Sequence, residues 1–354
     1  MNLTVLNTNL EAIAVLDVYE SLIWTDRYSR CGDFELYSAI NEDILSLVKQ
    51  DYYIVSPESD HVMIVEDIRI ETDPENGDHI RISGNSLEKI LDRRIIWGRT
   101  IVSGSLQNVV RTLLNECIIT PTDSARKIDN FIFEESTDPS VTGLSITSAQ
   151  YTGDNLYDII VKNCSDKKLG FQITLNSDMQ FVFKLYAGTD RSYNQSTNPY
   201  VVFSPSFDNL LSANYMETKS ALKTVALIGG AGEGDERLFR DVNPKGETGI
   251  HRREVFINAS DLSAESVSDE DYANQMDQRA LEKLAEHTEV SSFEGQAETR
   301  TMFKYGEDFF AGDIVQFADA YGHEAPARII EVITSNDKEG LSVYPTFEMI
   351  KEGD

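Results

Sequence analysis

The chain has 354 residues, 41% of them hydrophobic and 26% charged, the balance of a folded globular protein and well away from disordered or collagen-like compositions. Its formal charge of -29 opposes binding to phosphate backbones and to anionic membrane surfaces. The length exceeds what one hydrophobic core usually serves, so two or three domains are expected, and no window approaches the roughly 18 apolar residues that cross a bilayer.

Strand signals dominate the first hundred residues, with β-rich runs at 11–24, 34–40, 52–55, 62–70 and 80–82. Asn76-Gly77 is the sharpest turn signal, because both residues tolerate the positive φ of tight hairpins, and Ile68 and Ile70 before it match Ile80 and Ile82 after it. Pro74 cannot donate to a ladder, so the loop is expected to begin near Thr72. This third carries 19 acidic against 9 basic groups.

The middle third, residues 101–210, is nearly neutral, with 12 acidic and 8 basic groups. After Ser105 as N-cap, Leu106, Val109, Val110, Leu113, Leu114 and Cys117 form one apolar stripe at helical spacing. Asp154 can cap a second helix carrying Leu156, Ile159, Ile160 and Cys164, closed by Lys167, Lys168 and Gly170. A hairpin is expected next: Phe171, Ile173 and Leu175 alternate, Asn176-Ser177-Asp178 turns the chain, and Phe181, Phe183 and Leu185 alternate back.

The last third holds 29 acidic and 14 basic groups. It predicts a strand at 221–228, a flexible stretch from Gly229 to Gly249, a strand at 254–258, and a helix opened by the capping pattern Ser268…Asp271 with Ala273, Met276, Ala280 and Leu284 on one face. Strand composition returns at 298–304, 313–317, 327–334 and 341–347. A weak internal repeat links the two ends of the chain. Asp51, Ile54, Val55, Ile64, Val65, Glu66, Ile68 and the Gly77 turn resemble Asp313, Ile314, Val315, Ile329, Ile330, Glu331, Ile333 and Gly340.

Motifs that carry chemistry are sparse. Gly229-Gly230-Ala231-Gly232-Glu233-Gly234 follows a strand, as a phosphate loop would, but no Gly-Lys-Ser/Thr ending follows, and Glu233, Asp235 and Glu236 repel phosphate. His61, His79, His251, His287 and His323 lack metal-ligand spacing and read as solvated or turn histidines. Cys31, Cys117 and Cys164 lie far apart and read as small buried apolar residues of a reducing compartment. Asp269-Glu270-Asp271 suits a helix N-terminus, and 336–340 lacks the alternating oxygen ligands of a calcium loop. No nucleophile elbow occurs, and a glycosidase carboxylate pair has no spacing of its own by which to find it. No catalytic, cofactor-binding or metal-ligating residue is therefore assigned, and no cofactor.

Four segments carry a resemblance. They are Trp24-Thr25-Asp26-Arg27-Tyr28-Ser29-Arg30-Cys31-Gly32-Asp33-Phe34-Glu35-Leu36; Ser83-Gly84-Asn85-Ser86-Leu87 with Leu91-Asp92-Arg93-Arg94-Ile95-Ile96; Arg252 to Leu262; and Tyr305-Gly306-Glu307-Asp308-Phe309-Phe310-Ala311-Gly312-Asp313-Ile314-Val315. In that order they resemble the hub proteins of siphophage and prophage tails, a family that includes the N-terminal part of tail-associated lysins. The resemblance implies an α+β, mainly β fold with two tail-tube-like β-barrel domains and a smaller inserted α+β domain. Their expected extents are 1–102, 206–354 with one long helix, and 103–205 for the insert.

It further implies a structural, non-enzymatic homotrimer at the virion tail tip, assembled in the host cytoplasm. The hub would close the tube and meet the distal tail protein ring, the tail tube, the tape-measure protein and a tip spike or fibre. It would need no membrane, and DNA would pass without specific binding along an acidic or neutral wall. The competing readings are a peptidoglycan-degrading endopeptidase, or a fragment of one, and a receptor- or carbohydrate-binding module. Lysin members carry a lytic domain after the hub, and this sequence stops at Asp354. Any lytic activity is thus expected in another protein or beyond this sequence.

Overall fold

The computed structural model describes residues 2–40, 42–74, 77–265, 267–297, 302–319, 321 and 324–350. Asn76 and His323 lie outside them, as does most of the strand expected at 298–304. The chain divides into two compact units, each assembled from separate segments: 1–89, 170–216 and 291–354 make one, and 90–169 with 217–290 make the other. The consecutive stretches 1–102, 103–205 and 206–354 cut across both. Consecutive reading assumes that neighbours in sequence share a core, and strand pairing between the chain's two ends breaks that assumption.

The first unit is mainly β. Leu22, Trp24, Phe34, Leu36, Ile54, Met63, Val65, Ile80 and Ile82 are all nearly or wholly buried in one core, which is why their strands alternate in composition. Burying each such side chain contributes about 2 kcal/mol relative to exposure. The strand order is Ser21–Arg27, Asp33–Ala39, Gly77–Ser86, Val62–Asp73, Tyr53–Val55, then Leu3–Leu6 and Ala12–Leu16. The expected run at 11–24 is thus two strands. Gly84 is required by close approach, since a Cβ there would stand 1.8 Å from the Ile64 carbonyl oxygen, beside the bulge at Glu66.

The chain's second end repeats this order. Leu210–Thr218, Val290–Ala297, Gly340–Met349, Glu324–Asp337 and Ile314–Ala318 follow one another as the first five strands do, and their core holds Phe203, Phe309, Val315, Phe317, Ile329, Val332 and Phe347. Each long hairpin is interrupted once by a bulge, at Glu66 between Val65 and Asp67 and at Ile330 between Ile329 and Glu331. Asp73 pairs with Gly77 and Asp337 with Gly340 across the two turns. Ladder and bulge therefore match Glu66 to Ile330, one residue away from the match made on composition, which set Glu66 against Glu331. A bulge moves every later side chain by one position, and composition does not reveal where it falls. The sheet path stays open, with Ala12–Leu16 and Leu210–Thr218 at its ends, and no ladder among the described residues closes either half into a barrel.

The expected hairpin at 170–186 forms in this unit, with Gly170 to Leu175 paired in register against Tyr186 to Phe181.

The second unit holds the helices. Ser105 caps Leu106–Leu114 as expected, its side chain accepting from the Asn108 N–H. The cap of Leu156–Asp166 is Asn155 rather than Asp154: Asn155 accepts from the N–H groups of Tyr157 and Asp158, while the Asp154 carboxylate accepts from the Thr152 N–H. Asp269–Ala285 starts at Ser268, whose Oγ accepts from the Asp271 N–H at 3.1 Å and donates to the Asp271 carboxylate at 2.7 Å. Ser268→Ala should cost about 1 kcal/mol, read as a lower midpoint of thermal unfolding.

That helix packs on Val225–Gly229, which pairs antiparallel with Phe239–Val242 and parallel with Glu254–Asn258. The stretch 229–249, expected to be flexible, thus contains a strand. Its glycine loop is fastened by the Ala231 N–H donating to the Tyr272 hydroxyl at 2.7 Å and by Arg237 donating to the Gly229 carbonyl at 2.8 Å.

Candidate functional site

Within the first unit the two halves meet where Ser21–Arg27 pairs antiparallel with Glu331 to Asp337. Arg27 reinforces this ladder by bridging Asp33 and Glu331, each at 2.5 Å. Asn336 donates to the Tyr19 hydroxyl at 2.6 Å, and the Tyr28 N–H donates to the Ile330 carbonyl at 3.0 Å. Tyr28 is buried against Gly170 and Gly312. A Cβ at Gly312 would lie 2.3 Å from its ring, and the φ of +100° at Gly312 excludes most other residues as well.

Beside this ladder lies a buried polar cluster. The Asp26 carboxylate accepts from Trp24 Nε1 at 3.0 Å, from Ser59 Oγ at 3.1 Å and from the Tyr305 hydroxyl at 2.8 Å. Glu88 is fully buried and accepts from the Ile173 N–H at 2.7 Å and from the Ser86 hydroxyl. His61, 5% exposed, stands between the two acids, with Nε2 4.0 Å from Asp26 and Nδ1 3.5 Å from Glu88. These are ion-pair distances longer than hydrogen bonds.

Burial alone would push the imidazole pKa down, but Asp26, Glu88 and Asp60 outweigh it and raise it from 6.5 to about 9. Burial would raise Glu88, yet His61 and the hydrogen bonds from Ser86 and Ile173 hold it below the usual carboxylate range. Burial followed by Asp26 lifts the Tyr305 phenol well above its ordinary value.

This arrangement ties chain segments together and leaves little room for chemistry. The carboxylates approach opposite nitrogens of the ring, so their lone pairs do not converge on one ion. Among the described residues no group of three or more His, Cys, Asp or Glu could hold a metal. His61 was expected to be solvated or in a turn and is instead a buried cation. Its two ion-pair partners, Asp26 and Glu88, lie 35 and 27 residues away in sequence, and only the weaker contribution of Asp60 comes from a sequence neighbour. No periodicity links residues so far apart, although the segments that carried the resemblance contain Trp24, Asp26, Ser86 and Tyr305. Of the cysteines, Cys117 and Cys164 are buried as expected, and Cys31 is only partly so.

Comparison with known proteins gives this frame a family. The family model for the Siphovirus ReqiPepy6 Gp37-like protein matches residues 2–347. The chain belongs to that family.

The Gp37-like fold extends to solved structures of low identity. A 43 kDa tail protein of prophage MuSo2 from Shewanella oneidensis matches with a TM-score of 0.58 at 13% identity, covering 98% of both chains. The tail protein from Neisseria meningitidis MC58 has a TM-score of 0.56 at 10% identity, over 98% of this chain and 95% of that one. Prophage tail protein gp18 from Listeria monocytogenes EGD-e has a TM-score of 0.53 at 12% identity, over 100% and 96%. No curated protein sequence matches the chain. The family is named for a siphovirus protein, and the solved structures that share its fold are named as tail proteins. No helix among the described residues is long and apolar enough to cross a membrane.

Proposed function

We propose that the chain is the hub at the tip of a phage-type tail and acts as a homotrimer. The observation that carries this reading is the repeated strand order within one chain. Two matching β units per subunit give three subunits six units, which matches a sixfold tube to a threefold tip. Each unit is read as a tail-tube-like barrel completed by its neighbours.

The hub closes the tube and meets the distal tail protein ring, the tape-measure protein and a spike or fibre. It assembles in the host cytoplasm, and its acidity keeps passing DNA from adhering to the wall. It performs no catalysis: the buried His61 cluster is closed to substrates, and its role is to fasten the two halves of the first unit.

Sedimentation equilibrium tests the assembly, with a mass three times 39.8 kDa expected and a stable twofold dimer contradicting it. Gold-labelled antibody on intact particles should mark the tail tip, and labelling along the shaft or at the head would overturn the position. Incubation with purified peptidoglycan should release only background fragments.

A further inference from the structure

The two halves differ in what covers one strand edge. In the second half, Glu324–Asp337 shares one edge between two partners: Glu324 to Arg328 pair with Ile314–Ala318, and Glu331 to Asp337 pair with Ser21–Arg27 of the first half. The counterpart strand in the first half, Val62–Asp73, pairs along that edge at Val62 to Ile64, with Tyr53–Val55. Val65 extends that edge by hydrogen bonds with Asp51 and Tyr52, and the Glu66 carbonyl accepts from Gln50 Nε2; from Asp67 onward the ladders of the described residues run only to Gly77–Ser86, on the opposite edge.

The bulges place residues 67–73 on 331–337, so the open segment is the same segment that is covered in the second half. Its exposure agrees. Val332 and Thr334 are 0% and 8% exposed under Ser21–Arg27, whereas Ile70, the counterpart of Thr334, is 57% exposed. An isoleucine on an uncovered strand edge is a template for pairing with another chain.

The strand that would cover it is also identified by the repeat. Ser21–Arg27 occupies the first place in its half, and Leu210–Thr218 occupies that place in the other, where it ends the sheet path among the described residues. We propose that the edge at residues 68–73 binds Leu210–Thr218 of a second copy of this chain, antiparallel, repeating between copies the pairing that joins the halves within each. Donor strand and acceptor edge are different surfaces, so the contact is heterologous and copies close into a ring rather than a twofold pair. The inference rests on the reading of the chain as a self-assembling hub and names the contact by which its copies join.

The backbone direction supplies a clean test. The Ile330 carbonyl faces Tyr28, so the alternate residues Val332, Thr334 and Asn336 turn their N–H and C=O groups to that same edge. Their counterparts Ile68, Ile70 and Thr72 face the open edge, while Arg69 and Glu71 serve the hairpin. Ile70→Pro therefore removes one outward donor and leaves the hairpin bonds in place. Sedimentation equilibrium should show the dissociation constant of the assembly raised about tenfold or more, with unchanged circular dichroism.

Hydrogen exchange on the wild-type chain gives a second readout independent of any variant: amides at 68, 70, 72 and within 210–218 should slow as concentration drives assembly. A wild-type assembly in which these amides exchange at the monomer rate, and which Ile70→Pro leaves equally tight, overturns the inference and leaves the hub reading standing. A chain that stays monomeric at every concentration overturns the inference too. Antibody labelling away from the tail tip would then remove the hub reading as well.

Discussion

Replacing Asp26 with alanine is expected to lower stability by about 3–5 kcal/mol, the range for breaking a buried ion pair by removing one partner. The carboxylate accepts from Trp24, Ser59 and Tyr305 and faces the His61 imidazolium. Its removal leaves the buried Trp24 indole N–H and the partly buried Ser59 and Tyr305 hydroxyls without that acceptor, and takes away the largest of the charges that balance the histidine. Asp26→Asn keeps the volume and one acceptor oxygen, so it should cost less, about 1–2 kcal/mol. The midpoint of urea unfolding measures both. A loss under about 1 kcal/mol for Asp26→Ala would show that the cluster does not hold the halves together.

The second large effect is a dependence on pH. His61 titrates at about 9 in the folded chain and near 6.5 when unfolded, so its stabilisation, about 3 kcal/mol, is complete below pH 6.5 and is lost as pH rises through 9. Glu88 works in the opposite sense. Its folded pKa lies below 4.5, so its contribution is present above that value and is lost as pH falls through the folded pKa. The cluster is therefore most stabilising between about pH 4.5 and 6.5. Unfolding midpoints taken from pH 6 to 10 should fall for the wild-type chain, and His61→Gln should remove most of that slope. Equal slopes in the two proteins would show that His61 is not charged in the fold.

Two kinds of feature were legible in the amino-acid pattern. Strands betrayed themselves by alternation wherever one face meets a core, as with Phe34, Leu36 and Ile80, Ile82. Caps betrayed themselves by side-chain chemistry, since Ser105 and Ser268 each satisfy N–H groups within three residues. Asp154 shows the limit of that local reading: Asn155 is also a capping residue, and only backbone geometry selects which of two neighbours turns its oxygen into the helix.

The sequence by itself determined the mainly β class, most strands, the capped helices and the existence of a repeat, because each depends on residues within a turn or a hairpin of one another. Tertiary structure alone decided the remainder. The repeat's register depended on bulges at Glu66 and Ile330, and a one-residue shift there leaves composition almost unchanged. The units depended on Ser21–Arg27 crossing to Glu331 and beyond, a pairing over some 300 residues whose loop-closure cost grows only logarithmically with length and so leaves no local trace. The charge on His61 depended chiefly on Asp26 and Glu88 converging from separate segments in a medium too dry to screen them, and of that environment only the lesser contribution of Asp60 is adjacent in the sequence.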